Sequence, residues 1–343
     1  MQALCKKKKG PGHISLVNLE QPQPGRGQVQ ISVEAAGICG TDIHIRHDTF
    51  PYSPPVVLGH EFSGRISVVG PEVEGLEVGD RVMAETTAVL CGVCPFCQRG
   101  QTNNCPNRRV YGVHINGGFA EQVVVRKEAI HRLPQNVDFV AGAMTEPLAV
   151  CVHALIERTQ ISAGQVVMVS GPGPIGLLAA MVAKAQGASV IVTGIAKDEA
   201  RLELAKTVGA DLTVSVDRDD LKNQIRPFCQ DQGGVDITVE ASGAAASVEA
   251  AYSCTRKGGT IVQLGLFEGP ITVDYSQIAF REFNIIGSFA HCWSSFDRAL
   301  DLMAKKVINI EPLVSDVMGL DQWEQAFGRL ERGDGVKILL SPA

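Results

Sequence analysis

The 343-residue sequence contains no apolar run approaching the roughly eighteen residues that a membrane-spanning helix needs, which excludes such a span by hydropathy. Its first residues, Met1-Gln2-Ala3-Leu4-Cys5, carry no apolar stretch ahead of a cleavage site, so no secretory leader is expected. Internal repeats and low-complexity segments are lacking too. Positive charge is in short supply: 31 Lys and Arg stand against 37 Asp and Glu, a formal net charge of −6. That balance argues against nucleic acid or an anionic membrane as a partner. The one basic run, Lys6 to Lys9, precedes Gly10-Pro11-Gly12 and reads as a solvated hairpin tip. Cysteine, in contrast, is plentiful. Ten in a chain without a leader suggest metal binding and unpaired thiols rather than a disulfide framework, and a reducing compartment, the cytoplasm by default.

The length exceeds what one hydrophobic core supports, so two domains are expected. Up to about residue 150 the chain is rich in Gly, Pro and short β-branched runs, such as Val29-Gln30-Ile31-Ser32-Val33 and Arg65-Ile66-Ser67-Val68-Val69. These read as an antiparallel barrel or sandwich. From about Ala163 the pattern changes. Val166 to Ser170 is a wholly apolar strand, and a helix follows with Ile175, Leu178, Ala179, Val182 and Ala183 on one face. Ser189–Thr193 and Val235–Glu240 are further strands, with a helix over Arg201–Val208 between them. Such alternation predicts a doubly wound parallel sheet. After about Gly287 the alternation stops, and the tail, with one amphipathic helix over Phe296–Lys305, is expected to return to the first domain.

Three groups of residues carry chemistry. Cys91, Cys94, Cys97 and Cys105 place four thiolates within fifteen residues, a spacing that wraps one tetrahedral ion and leaves no open position. A DNA-reading zinc ribbon is the competing use, but only Arg99, Arg108 and Arg109 stand nearby. Cys39, the pair His60-Glu61, and Glu146 offer a thiolate, an imidazole and carboxylates, a set suited to a zinc ion that keeps a position for water or an alcohol. Gly171-Pro172-Gly173-Pro174-Ile175-Gly176 sits between an apolar strand and a helix, the setting in which a glycine loop brings pyrophosphate to a helix N-terminus.

Gly59-His60-Glu61-Phe62-Ser63-Gly64 with Gly70 and Val73 resembles the zinc signature of the medium-chain alcohol dehydrogenases. Gly37-Ile38-Cys39-Gly40-Thr41-Asp42-Ile43-His44, Thr145-Glu146-Pro147-Leu148-Ala149, Glu311-Pro312-Leu313 and Gly335-Val336-Lys337-Ile338-Leu339-Leu340 extend the likeness nearly end to end. The polyol dehydrogenases (sorbitol or L-iditol type) are the nearest branch, with threonine dehydrogenases next. The resemblance implies an α/β protein with a GroES-like β-barrel catalytic domain at 1–151 and 291–343, and a Rossmann NAD(P)-binding domain at 152–290. It implies two zinc ions per chain. One is structural, on the four lobe cysteines; the other is catalytic, on Cys39, His60 and Glu61, with Glu146 in the first shell or just outside it. It also implies a proton relay from Thr41 by way of the cofactor ribose to His44, cofactor contacts from Gly171, Gly173, Pro174, Ile175, Gly176, Leu264 and Gly265, and a homo-oligomer, tetramer or dimer. The substrate is then a small alcohol or polyol. Threonine-type oxidation, or nucleotide binding without turnover, are the alternatives.

Three departures bear on specificity. The second Rossmann strand ends in Gly194 where an NAD enzyme has an acidic residue. The loop from there to Arg201 is longer by two residues than in relatives that carry Asp at that place, and it holds Lys197 and Asp198. Lys197 or Arg201 would pair with a 2′-phosphate, which slightly favours NADP, whereas Asp198 would fold back onto a ribose. Ala88 occupies the place of a histidine that threonine dehydrogenases use, and Ala290-His291 follows Phe289 where animal sorbitol dehydrogenases have arginine. Phe50, His114, His291 and Trp293 are candidates to shape the pocket. Cys5, Cys151, Cys229, Cys254 and Cys292 are read as buried small hydrophobes.

Overall fold

The computed structural model of the chain describes residues 1–229 and 232–342. It divides into two compact units, Met1–Glu146 with Cys292–Ala343, and Pro147–His291. Ala343, on which the expected first domain ends, lies outside the described residues. The first division falls inside the helix Thr145–Val152, which goes with the second unit from Pro147 on; there Cys151 Sγ donates to the carbonyl of Ile175 at 3.3 Å.

The first unit is organised by the strand Gln28–Gly37. Its two-residue period sends Val29, Ile31 and Val33 into one core, while Ser32 and Glu34 stay half-exposed; an irregularity between Val33 and Ala35 then turns Ala36 into that core and Ala35 toward Ala143 and Leu339. The sheet runs Ile130–Arg132, Arg81–Ala84, Glu61–Val69, Gln28–Gly37, Lys337–Ser341, Val314–Gly319, and Gln122–Arg126 also pairs with Gln28–Gly37. The tail returns as expected: Leu340 lies opposite Ala36 and Leu339 opposite Gly37, antiparallel. The helix Trp323–Glu331 then sets Phe327 edge-on to Phe119, ring centroids 6.4 Å apart, in a core that also holds Leu4, Ile31, Phe62 and Leu340.

The second unit is a six-stranded sheet with every neighbouring pair parallel. In space it runs Leu212–Ser215, Ser189–Gly194, Val166–Ser170, Val235–Glu240, Thr255–Gln263, Asn284–Gly287. The order turns around at Val166–Ser170, and in sheets of this kind ligands bind beyond the carboxyl ends of the strands at that point. The following helix, Pro174–Ala185, starts on a proline whose fixed φ suits a first helical position. Its burial is not confined to one face as the sequence pattern predicts. Gly176 to Ala183 are all buried, since apolar and small side chains occupy the whole circumference of that stretch. All five cysteines outside the two clusters are buried.

The basic run is the clearest departure from expectation. Lys6 closes the strand Gln2–Lys6, paired with Ile14–Asn18, and is wholly inaccessible. Its Nζ donates to the carbonyls of Gly10 and Gly12 at 2.6 and 2.5 Å and reaches that of Arg46 at 3.5 Å. Lys9 Nζ donates to the Tyr52 carbonyl at 2.6 Å and sits 3.6 Å from the Tyr52 ring centroid. The Gly10 and Gly12 carbonyls face the inaccessible Lys6 side chain, and its ammonium donates to them although burial pulls its pKa below the ordinary lysine value. Lys7, Lys8 and Lys9 keep the exposure expected of a solvated tip, although the ammonium of Lys9 is engaged. Lys6→Met should therefore lower stability by about 1.5–3 kcal/mol, and Lys8→Met by no more than about 0.5 kcal/mol. Denaturant unfolding of both variants measures this, and equal midpoints would remove the structural role given to Lys6.

Candidate active site

Three strands and one helix start assemble the first site. Gly37 lies opposite Glu61 across one ladder and opposite Leu339 across the other, so Cys39, Glu61 and Lys337 reach the same region from three segments distant in sequence. The close approach explains the glycine: a Cβ at position 37 would stand 2.2 Å from Glu61 Oε2 and 3.0 Å from Lys337 Cε. Cys39 caps the helix Gly40–Arg46. Donor atoms of Cys39, His60 and Glu61 all lie within 4.8 Å of one another. Glu146 is buried and acts electrostatically on His60, Glu61 and Lys337, but it does not belong to that donor group.

The charges around this cluster are arranged for a cation. Lys337 Nζ pairs with Glu61 Oε2, both side chains being almost entirely inaccessible. Burial opposes the ammonium, but Glu61 and Cys39 more than offset it, so Lys337 stays charged above its usual range. Burial pushes the Glu61 carboxyl up, while Lys337 pulls the other way. Asp42, wholly buried, accepts the backbone N–H of Cys39 at 3.0 Å through one oxygen and sets the other 3.8 Å from His60 Nδ1. Burial works against a charged His60, yet Cys39 and Asp42 hold its pKa well above the usual value. Glu61 Oε1 has no hydrogen-bond partner among the described residues. A soft thiolate, an imidazole and a buried carboxylate with an unserved oxygen fit a zinc ion that keeps an open position.

Asp42 and Lys337 are the residues that reading the motifs did not single out. Asp42 had a signal, since it stands three residues after the cap, where an acidic side chain reaches back to the cap N–H. Lys337 had a weaker one: a charge opening the otherwise apolar strand Lys337–Ser341. Thr41 and His44 lie three apart on the helix Gly40–Arg46, and so on one face. Thr41 is half-buried; His44 is exposed, its Nδ1 3.2 Å from Thr49 Oγ1. Two of the pocket candidates are engaged in packing. His114 Nδ1 accepts the N–H of Val110 at 3.2 Å, and Trp293 stacks on His131 with centroids 3.8 Å apart.

The second cluster is the cysteine lobe. The sulfurs of Cys91, Cys94, Cys97 and Cys105 all lie within 4.8 Å of one another. Cys94 caps the short helix Pro95–Gln98 and accepts the Cys97 N–H at 3.4 Å. Backbone N–H groups of Val93 and Cys94 bring the Cys91 thiol down to about 6, whereas burial and then the neighbouring sulfurs push Cys97 up to about 12. One sulfur is thus ready as thiolate at neutral pH, and a cation would displace the remaining protons. The donor set is closed and soft, which fits a structural zinc.

In the second unit a cavity of about 370 Å³ opens at the carboxyl ends of the strands, lined by Gly171, Gly173, Gly194, Lys197 and Arg201 among others. A Cβ at Gly176 would stand 1.8 Å from the Gly171 carbonyl oxygen, while one at Gly173 would meet nothing within 4 Å and point into open space. Pro174 and Ile175 form the first turn of the helix, and the backbone N–H groups of Leu264 and Gly265 bond the Glu240 carbonyl at 2.9 and 2.8 Å. Asp198 lines the same cavity but spends one oxygen on the Ile195 N–H at 3.1 Å.

Residues 25–135 match the family described as alcohol dehydrogenase GroES-like domain, and residues 174–305 that described as zinc-binding dehydrogenase. The sorbitol dehydrogenase of Halalkalibacterium halodurans is 40% identical over 343 residues, spanning 100% of this chain and 99% of its own length. The D-arabitol-phosphate dehydrogenase of Enterococcus avium is 39% identical over 342 residues, spanning 99% and 97%. A solved structure described as a zinc-binding dehydrogenase of Sinorhizobium meliloti 1021, bound to NADP, matches with a TM-score of 0.92 at 36% identity, covering 99% of both chains.

The two clusters should respond differently to loss of a sulfur. Cys39→Ser is expected to remove one equivalent of zinc and nearly all turnover while leaving the melting temperature close to that of the parent. Cys94→Ser should lower the melting temperature and strip the other equivalent, because a closed site contributes folding energy that an open one does not. Metal analysis with thermal unfolding checks both, and a Cys39→Ser protein with full metal and full activity would overturn the assignment.

Proposed function

The chain belongs to the zinc-binding alcohol dehydrogenase family, and from that premise we propose that it oxidises a secondary alcohol of a polyol or sugar derivative, and reduces the corresponding ketone, with NAD(P). The observation that carries this reading is the Cys39, His60, Glu61 donor group, its imidazole and carboxylate buried, with the charge partners Lys337 and Asp42. When bound, zinc supplies Lewis acidity toward an alcohol oxygen, and the nicotinamide supplies the acceptor for a hydride. Cys39, His60 and Glu61 would hold the catalytic ion, with Glu146 close by, and the four lobe cysteines the structural one. Lys337 and Asp42 fix the carboxylate and imidazole among these donors. Thr41 Oγ1 would accept the alcohol proton as it passes its own on toward the exposed His44 imidazole, which releases a proton to water; half-buried Thr41 and exposed His44 on one helix face support that order. The catalytic domain is assigned to 1–151 and 291–343, and the nucleotide domain to 152–290. Lys197 and Arg201 lining the nucleotide cavity, with no carboxylate at position 194, favour NADP.

A cytoplasmic home agrees with ten cysteines among which no disulfide occurs in the described residues. No helix of the described residues is long and apolar enough to cross a membrane. Self-association is supported at the edge strand Asn284–Gly287, where Ile285 is exposed and Leu266, Tyr275 and Phe280 are exposed apolar side chains of the same unit. An open strand edge with apolar surroundings pairs readily with its own copy about a two-fold axis. Ile285→Asp should shift the species seen in sedimentation toward monomer, and an unchanged size distribution would exclude this edge as the contact.

Polyols, phosphorylated polyols and threonine assayed with both cofactors test the activity itself; turnover confined to threonine would overturn the substrate class. For the cofactor, Lys197→Ala should weaken NADPH selectively, by about tenfold, the scale of one lost charge-assisted bond. Gly194→Asp should move the ratio of kcat/KM values toward NAD. Its Cβ would stand 3.0 Å from Pro172 Cγ and 3.3 Å from Asp198 Cβ, so neighbours must yield by a few tenths of an ångström. Unchanged ratios in both variants would mean that this loop does not read the ribose.

A further inference from the structure

Glu240 ends the central strand Val235–Glu240 and is 1% exposed, yet no motif flags it. Its Oε1 accepts the backbone N–H groups of Ser242 and Gly243 at 2.8 and 3.0 Å, and the hydroxyls of Ser242 and Ser247 at 2.6 and 2.7 Å. Its Oε2 accepts Gln263 Nε2 at 2.7 Å. Its backbone carbonyl takes the N–H groups of Leu264 and Gly265. The backbone N–H groups and the Gln263 amide nitrogen can only donate to Glu240, and the hydroxyls of Ser242 and Ser247 have it among their acceptors, beside Ser247 Oγ and the Ala244 carbonyl; a carboxylate, which only accepts, is the side chain that suits such a set.

The bonds converge from two directions on one wall. Ser242 and Ser247 line the nucleotide cavity, and Ala244, also lining it, donates its N–H to Ser242 Oγ at 3.1 Å. Ser242 in turn backs the glycine loop: a Cβ at Gly171 would stand 2.8 Å from Ser242 Cβ. On the other side, a Cβ at Gly265 would stand 2.3 Å from Glu240 Oε2 and 2.5 Å from the Gly243 nitrogen, so both segments close tightly on the carboxylate. Glu240 itself does not line the cavity; it acts through the residues that do.

We propose that Glu240 is a positioning residue for the dinucleotide: its carboxylate ties residues 242–247 to 263–265 and holds the cavity wall opposite Lys197 and Arg201 in the shape that receives NAD(P). This rests on the reading of the cavity as the cofactor site. Ordering that wall before binding removes a cost that binding would otherwise bear. In Glu240→Gln an amide NH₂ replaces one acceptor. It must face either the N–H and hydroxyl donors or Gln263 Nε2, and turning Gln263 over to accommodate it gives up the bond from that nitrogen to the Gly265 carbonyl, 2.8 Å long here.

The test measures binding of NADH and NADPH to the zinc-loaded full chain by fluorescence titration, alongside melting temperature and steady-state kinetics. Glu240→Gln should raise the Kd of both reduced cofactors by about tenfold or more, the worth of one charge-assisted bond. At saturating cofactor, kcat and the KM for alcohol should stay within about twofold. Gln263→Leu removes a donor to Oε2 without touching the cavity lining, and should weaken both cofactors in the same direction by a smaller factor. A parent protein that binds neither cofactor would refute the cavity reading, independently of Glu240. With binding intact in the parent, variants that melt earlier but keep the parent Kd would give Glu240 a purely structural role and overturn the proposal. Should Glu240→Gln fail to fold, parent-like binding by Gln263→Leu would overturn it as well.

Discussion

Inside the sheet of the first unit, the carboxylate of Glu61 and the ammonium of Lys337 meet out of reach of water. Taking two charges out of solvent costs several kcal/mol per ion, and their attraction repays this only when the geometry is good and other groups serve the remaining lone pairs and protons. The surrounding structure is bent to that requirement. Position 37 has to be glycine so that the carboxylate can lie against the neighbouring strand. The C-terminal strand has to lie beside Gln28–Gly37, or the ammonium would arrive nowhere near Glu61. Through Glu61 the pair also constrains the donor group, because the next residue back is His60, held in its turn by Asp42.

The second unit satisfies a different constraint by similar means. A dinucleotide brings negative charge to the ends of parallel strands, so the backbone there must be close, irregular and yet fixed. The glycine loop gives closeness, and Gly176 lets the helix approach within contact of the loop carbonyl. Fixity comes from a buried carboxylate whose partners are nearly all local backbone and hydroxyl groups. Both units thus use a buried Glu to organise a site without exposing it. One Glu is paired with a cation beside the Cys39 and His60 donors; the other is saturated by neutral donors and hidden behind a wall.

Legibility in the sequence followed the range of the interaction. The four lobe cysteines and the glycine loop are contiguous, and their chemistry is readable from spacing alone. The strands Val166–Ser170 and Val235–Glu240 coincide with the predicted ones because a short apolar run and a strict alternation of β-branched with polar residues, each bounded by turn residues, admit few other structures. The apolar pattern locates the helix Pro174–Ala185 but not its burial, since a periodic pattern cannot report how many neighbours a helix has. Lys6 was misread for a related reason. A lysine in a basic run looks solvated until the carbonyls that need it have been brought around it.

By itself the sequence determined which residue types could hold metal and phosphate, where strands and helices alternate, and the family to which these patterns point. It did so because those properties depend on side-chain chemistry and on neighbours a few positions away. Only the tertiary structure decided that Lys337 belongs with Glu61, that Asp42 serves His60 besides its local cap bond to Cys39, and that Glu240 meets Gln263 across the neighbouring strand. Each of these is a buried polar contact whose existence depends on strand register. A one-residue slip in pairing turns every side chain to the opposite face, so no local pattern can announce such a contact before the sheet is formed.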